Sequence, residues 1–362
     1  MRIGIVTPFD SRNFGNRLQN YALQQILLPY ADEVITIKNK PCPSNLLRRL
    51  QQGTSLAESI PLNRLLGETQ KAAILEFNRA HLRVSRNLYW CNRNYKTLKQ
   101  EERCDWYCAG SDQIWNPDLH REDGFNFLTF APEERTFSYA ASFGVDTIPE
   151  EKRRKLSEGL HHIRYLSVRE EAGAKLAEQL TGRQDLFTLP DPTLLLSREE
   201  WDKVRKVPSA ALPERYLLSL FLGPRNEERT RQIQQKANRQ GWNVIAPLDH
   251  RSPFYGIGPG ELLHILQGAC LVCTDSFHMS VFSFLYQRPL VIFRREGEGS
   301  TMASRLDTLV KTYHLESCLA KGDSLPPIPE KADYSRGFFR LEQERLRAKA
   351  YLDGIFHRED AL

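Results

Sequence analysis

The segment Cys273-Thr-Asp-Ser-Phe-His278-Met-Ser-Val-Phe-Ser283 sets a histidine on the first turn of a helix that follows an apolar strand. Ala269–Cys273 is short and apolar like a buried strand, Thr274, Asp275 and Ser276 are all N-cap residue types, and Val281, Phe282 and Leu285 recur at helical spacing. In open α/β sheets ligands sit at the carboxyl ends of strands, and the free N–H groups of a helix start attract phosphate. His278 is therefore expected beside a bound anion, with Ser276 and Phe277 as neighbouring contacts, and imidazole suits a proton shuttle. The competing reading is a histidine that caps the helix or packs in the core.

Arg169 is the second candidate. It follows the apolar stretch Tyr165–Val168 and opens a helix, a poor electrostatic position for a cation unless an anion compensates it. A phosphate or carboxylate gripped by the planar guanidinium meets that need, and so does an ion pair with Glu170 or Glu171. Arg288, Arg294, Arg295 and Arg305 are further cations in the second half of the chain, and of these Arg288 and Arg305 are taken as substrate contacts. Asn13, Gly15 and Asn16 follow the first strand, and Ser111 and Asp112 end another. Their amide, hydroxyl and carboxylate groups suit sugar hydroxyls, although turns and helix caps use the same residue types.

Other chemistry is excluded by pattern. The Gly-x-Gly-x-x-Gly fingerprint is absent after the first strand, which runs into Thr7-Pro-Phe-Asp-Ser-Arg-Asn-Phe-Gly-Asn16, so no nicotinamide cofactor is expected. Cys270-Leu-Val-Cys273 has the spacing of a metal pair but lacks a second pair, and a strand turns the two thiols to opposite faces, so no metal is expected.

The elements that must carry these residues alternate. Arg2–Thr7 reads as a strand, Leu18, Tyr21, Ala22 and Ile26 share one helical face, and Glu33–Lys38 reads as the next strand. Residues from about 40 to 100 look polar and helical, after which Asp105–Ala109, Thr136–Ala140 and Tyr165–Val168 are strands. Asp191-Pro-Thr breaks the pattern ahead of a fresh strand, Tyr216–Phe221. The second half repeats the alternation, and strands alternating with helices mean a parallel sheet. With 362 residues the chain fits two domains of about 150 residues. The division expected is an N-terminal Rossmann-like lobe over 1–205 that carries Arg169, a C-terminal Rossmann-like lobe over 206–330 that carries His278, and a terminal helix over 331–362. Two lobes imply a cleft, with Arg169 and His278 expected on its opposite walls.

Fifty basic against 45 acidic residues leave a net charge of +5 with no long run of either sign, so nucleic acid is not indicated. Seven cysteines, an odd number with several inside apolar runs, and a strand beginning at Met1 without a signal sequence predict a reduced, cytoplasmic protein. No apolar run approaches the roughly 20 residues of a membrane span. Contact with the inner face of the membrane is expected to be peripheral at most.

Asn13-Phe-Gly-Asn-Arg-Leu-Gln-Asn-Tyr-Ala-Leu-Gln24, Ala109-Gly-Ser-Asp-Gln-Ile-Trp-Asn116, Ser138-Tyr-Ala-Ala-Ser-Phe-Gly144, Ser167-Val-Arg-Glu170, Asp191-Pro-Thr-Leu-Leu195, Gly258-Pro-Gly-Glu261 and Thr274-Asp-Ser-Phe-His278 occur in this order. Together they resemble the polysaccharide pyruvyl transferase family, over most of the chain. The resemblance implies two facing doubly wound lobes of the GT-B kind, closed by a C-terminal helix that packs back on the first lobe. It also implies phosphoenolpyruvate as donor, a saccharide or lipid-linked oligosaccharide as acceptor, and a ketal product in cell-envelope or exopolysaccharide biosynthesis. That chemistry needs an acid/base and several cations, and no cofactor besides the donor substrate. His278 and Arg169 would be the catalytic pair. The family usually has glycine after the histidine, whereas Met279 stands here, and only glycine leaves a backbone bare against a ligand. The alternatives are a nucleotide-sugar glycosyltransferase on the same fold and a non-catalytic saccharide-binding relative.

Overall fold

The computed structural model describes residues 1–9, 13–40, 62–90, 95–119, 123–295, 303–328 and 332–357. Much of the polar stretch read as helical, 41–61 and 91–94, lies outside the described residues. By contacts the chain divides into two units, Met1–Asp10 with Gln19–Glu68 and Leu82–Asp191, and Ser11–Leu18 with Thr69–His81 and Pro192–Leu362. The sequence-based junction near residue 205 falls inside the second of these.

The first unit opens with β1 (Arg2–Val6), α1 (Phe14–Leu27), whose first residues count with the second unit, and β2 (Glu33–Thr36). β3 (Asn39–Lys40), α2 (Leu62–His81), whose residues from Thr69 on count with the second unit, and β4 (Tyr89–Trp90) follow, with β3 and β4 paired in parallel. β5 (Trp106–Ala109) and β6 (Thr136–Ser138) complete a parallel sheet in the order β2-β1-β5-β6. α3 (Glu150–His161), β7 (Ser167–Val168), α4 (Glu171–Thr181) and β8 (Phe187–Thr188) finish it. Its core is strongly aromatic. Trp115 stacks on Phe127 with ring centroids 5.5 Å apart, and Gly159 of α3 lets the helix close on Phe127, since a Cβ there would lie within 3.0 Å of the ring.

The second unit begins with α5 (Arg198–Asp202), fixed by a capping box in which Ser197 Oγ accepts from Glu200 N at 3.2 Å and Glu200 Oε2 from Ser197 N at 2.6 Å. β9 (Tyr216–Leu220), α6 (Glu227–Gln240), β10 (Asn243–Ile245), α7 (Pro259–Gly268), β11 (Leu271–Thr274), α8 (Phe277–Leu285) and β12 (Leu290–Ile292) then alternate. The sheet runs β10-β9-β11-β12 and is parallel throughout. Successive strand residues face opposite sides. Leu217 shares a core cluster with Ile233 of α6, whereas the hydroxyl of Tyr216 donates to the Ile265 carbonyl of α7 at 2.8 Å. Helices therefore cover both faces, which makes this sheet doubly wound and explains why β11 and β12 are apolar and buried along their whole length. Each fully buried aliphatic side chain in such a strand contributes about 1.5–3 kcal/mol, enough to fix its register.

α9 (Ala303–Thr312) and α10 (Ser335–Phe356) complete the chain. Phe338 of α10 stacks on Phe284 at 4.6 Å, and Arg345 donates to the carbonyls of Leu194 at 3.1 Å and Leu196 at 2.9 Å. Leu194 and Leu196 lie in the stretch assigned from sequence to the first lobe and count by contacts with the second unit. The fold is α/β with parallel sheets, the class expected from the alternation of strands and helices.

Candidate functional site

In the second sheet the chain leaves β9 toward β10 and returns past it to β11, so the carboxyl ends of β9 and β11 form the topological switch point. Asp275 closes that crevice. Its Oδ1 accepts from Leu222 N at 2.7 Å and its Oδ2 from Gly223 N at 2.8 Å, while Arg295 Nε stands 3.4 Å from Oδ2. Thr274 Oγ1 donates to the Leu220 carbonyl at 2.6 Å and accepts from Ser276 N at 3.0 Å. The turn from β11 into α8 is thus tied to the end of β9 by charged and neutral hydrogen bonds together.

A recess open to solvent lies beside this clamp. Ile292 and Phe293 at the end of β12 give it an apolar floor, and Arg294, Arg295 and Arg305 line it with Phe277, Asp275 and Asp307. Arg294 holds Asp307 in a two-point pair, at 2.8 and 3.3 Å. Three guanidinium groups face two carboxylates, so the recess carries a surplus of positive charge. The first turns of α8 and α9 contribute Phe277 and Arg305, adding the positive ends of two helix dipoles.

His278 follows Phe277 on the same turn and is not among the residues that line this recess. Successive helical residues point about 100° apart. The imidazole is 8% exposed, edge-on to Phe277 with ring centroids 5.2 Å apart and an interplanar angle of 89°. Its Nδ1 side lies against Gly15 of α1, where a Cβ would come within 3.0 Å of Nδ1, Cγ and Cε1. Ser276 caps α8, its Oγ accepting from Met279 N at 3.5 Å, and Met279 is 2% exposed. The role expected for a glycine after the histidine is therefore not vacant space at 279: Met279 packs inward, and the bare backbone beside the imidazole belongs to Gly15.

Asn13, Asn16 and Arg288 make hydrogen bonds within the protein. Asn13 caps α1, its Oδ1 accepting from Asn16 N at 3.0 Å, and buried Asn16 bonds the Arg17 guanidinium. Arg288 donates from Nε to the Tyr286 carbonyl at 3.0 Å, and its own carbonyl accepts from the Tyr334 hydroxyl at 2.9 Å. It does not line the recess that contains Arg305.

In the first unit, Ser111, Asp112 and Arg169 come together with Asp191. Arg169 is 5% exposed; its Nη1 donates to Asp191 Oδ2 at 2.6 Å, and Nε lies 3.6 Å from Glu170 Oε2. Burial works against its charge, but Asp191, Glu170 and Asp112 outweigh it and hold the guanidinium above its ordinary pKa. Ser111 Oγ donates to Asp191 Oδ2 at 3.1 Å, and Asp112 adopts a left-handed backbone, φ 69°. The compensation that Arg169 needed at a helix start is thus an internal ion pair, with Asp191 rather than Glu171 as the close partner. Asp191 and Asp275 were overlooked as candidates. For Asp275 the signal in the sequence is an acidic residue just past an apolar strand with more capping residues than one helix uses.

Among the described residues no helix is long and apolar enough to cross a membrane, and no group of three or more His, Cys, Asp or Glu side chains could hold a metal ion. Burial pushes the Cys273 thiol, on β11 next to the clamp, well above its usual range, which leaves it a small apolar core residue.

Two α/β units with parallel sheets, the second with an arginine-lined recess at the carboxyl ends of its strands, define an α/β class of protein with a positively charged recess. Within that class the chain belongs to the polysaccharide pyruvyl transferase family, whose sequence model matches residues 13–297. No curated protein matches it. Among solved structures it is similar to the UDP-GlcNAc 2-epimerase of Methanocaldococcus jannaschii, at 13% identity and a TM-score of 0.48 over 94% of this chain and 92% of that one. It is also similar to the UDP-GlcNAc 2-epimerase of Neisseria meningitidis bound to UDP-GlcNAc, at 9% identity and 0.47 over 97% and 93%. A heptosyltransferase of E. coli solved with ADP gives 12% identity and 0.39 over 96% and 100%.

Proposed function

We propose that the protein transfers the pyruvyl group of phosphoenolpyruvate to two hydroxyls of a saccharide, forming a ketal. The observation that carries this reading is the recess of Arg294, Arg295 and Arg305, found in a member of the pyruvyl transferase family. Phosphoenolpyruvate presents a carboxylate and a phosphate, and planar guanidinium groups match both through paired hydrogen bonds. Arg305, which lines the recess from the first turn of α9, is the anion ligand to test first in this reading.

The reaction adds a proton to the methylene carbon, making the methyl group and leaving cationic character on the carbon that bears oxygen. One hydroxyl attacks that carbon, the bond to the phosphate oxygen breaks, and the second hydroxyl closes the ketal. Two hydroxyl protons are released, one replacing the proton delivered to carbon and one leaving on phosphate. His278, one residue past Phe277 and not in the lining of the recess, is assigned the proton transfer to the methylene carbon in this scheme, with the arginines offsetting charge on the departing phosphate. The product belongs to the saccharides of a cell envelope or exopolysaccharide, and a lipid-linked oligosaccharide is the acceptor class to try first. The test is incubation with phosphoenolpyruvate and a panel of saccharide acceptors, reading inorganic phosphate and the methyl signal of the ketal. Release of phosphate without a ketal, or no reaction with any acceptor while a nucleotide sugar is consumed, would count against it.

A further inference from the structure

We propose that Gly15 is the positioning residue for His278: the first turn of α1 forms a flat backbone wall that fixes the imidazole, and it can do so only without a side chain at position 15. The proposal rests on the reading of His278 as proton donor, but its geometry stands apart from that role. A Cβ on Gly15 would collide with three ring atoms at once, Nδ1, Cγ and Cε1, each within 3.0 Å. A glycine inside a helix is usually a cost, since it has the most conformational freedom to lose. Gly182, Gly241 and Gly322 have left-handed backbones and open space around them, so the backbone alone accounts for those glycines. No left-handed backbone applies at Gly15, within the helix Phe14–Leu27, and the space is filled by the imidazole. What glycine supplies here is room for the ring.

Neither side can yield easily. α8 is buried at every position from Phe277 to Leu285, and its first turn is tied through Ser276 and Thr274 to the end of β9. On the other side Asn13 caps α1, and Phe14 to Asn20 are all buried. The imidazole is thus confined between the Gly15 backbone and Phe277, whose ring stands perpendicular to it. A ring confined in this way keeps one orientation before any substrate arrives, which is what proton transfer to a fixed carbon requires.

The test uses the whole chain, labelled with ¹³C and ¹⁵N in histidine, without substrate. Nine histidines give ring resonances, and the one lost in His278→Ala identifies the residue. Gly15→Ala is expected to move that resonance and leave the others in place. Thermal melting gives the second arm: if the added methyl collides with the imidazole, Gly15→Ala lowers the melting temperature and His278→Ala in the same chain restores part of it. An unmoved His278 resonance in a folded Gly15→Ala protein overturns the proposal, as does a double variant that melts no higher than Gly15→Ala alone. Both readouts are independent of turnover. Loss of the proton-donor role would instead appear as a His278→Ala protein that keeps its rate.

Discussion

His278 combines a ring of restricted motion with the first turn of a helix whose preceding residue faces cationic side chains. A general acid contributes a factor of roughly 100 to 10,000 in rate, so His278→Ala should lose turnover by that order while the protein still melts cooperatively. A folded variant with more than about a tenth of the parent rate would remove the proton-donor role. Met279, next in sequence, has a different part. It is buried in α8, so Met279→Gly loses a core side chain and adds helix flexibility, a destabilisation of about 3 kcal/mol or more that calorimetric melting would register. An unchanged melting temperature would contradict the packing role. Arg169 illustrates why residue type alone leaves the question open: a cation at a helix start calls for an anion, and the anion turned out to be Asp191, 22 positions downstream.

The segment from β11 into α8 depends on Asp275, whose carboxylate holds two backbone N–H groups of the turn after β9. Asp275→Ala leaves both donors without their acceptor and Arg295 without its counter-charge, and on the order of 3 kcal/mol of stability should go with them. Asp275→Asn keeps one acceptor oxygen and should lose less. Equal losses in the two variants, measured by denaturant unfolding, would show that the hydrogen bonds to Leu222 and Gly223 do not carry the clamp. The strand and helix themselves were legible in the sequence, because the apolar run Ala269–Cys273 and the spacing of Val281, Phe282 and Leu285 report local burial. Asp275 was read only as a cap residue. Its partners lie 52 and 53 positions away, and spacing along one element carries no record of such contacts. The same limit applies to Gly15 and His278, 263 positions apart (278 − 15), where both residues were singled out but their contact was invisible. The alternation of strands and helices gave the parallel α/β class, whereas the hydrogen bond from Arg288 to the Tyr286 carbonyl left no trace in the sequence pattern.

The proposal that phosphoenolpyruvate is the donor rests on membership of the pyruvyl transferase family and on a recess with more guanidinium than carboxylate groups. Arg305 stands in the first turn of α9 and lines the recess, so replacing it should weaken donor binding. Loss of a charge-assisted contact costs about 1.5–3 kcal/mol, equivalent to a roughly ten- to hundredfold weaker affinity. Titration calorimetry with phosphoenolpyruvate, on the parent protein and on Arg305→Ala, measures this. Saturable binding by the parent, weakened by that factor in the variant, is the expected result. Binding of a UDP- or GDP-sugar with no detectable binding of phosphoenolpyruvate would contradict the proposed function.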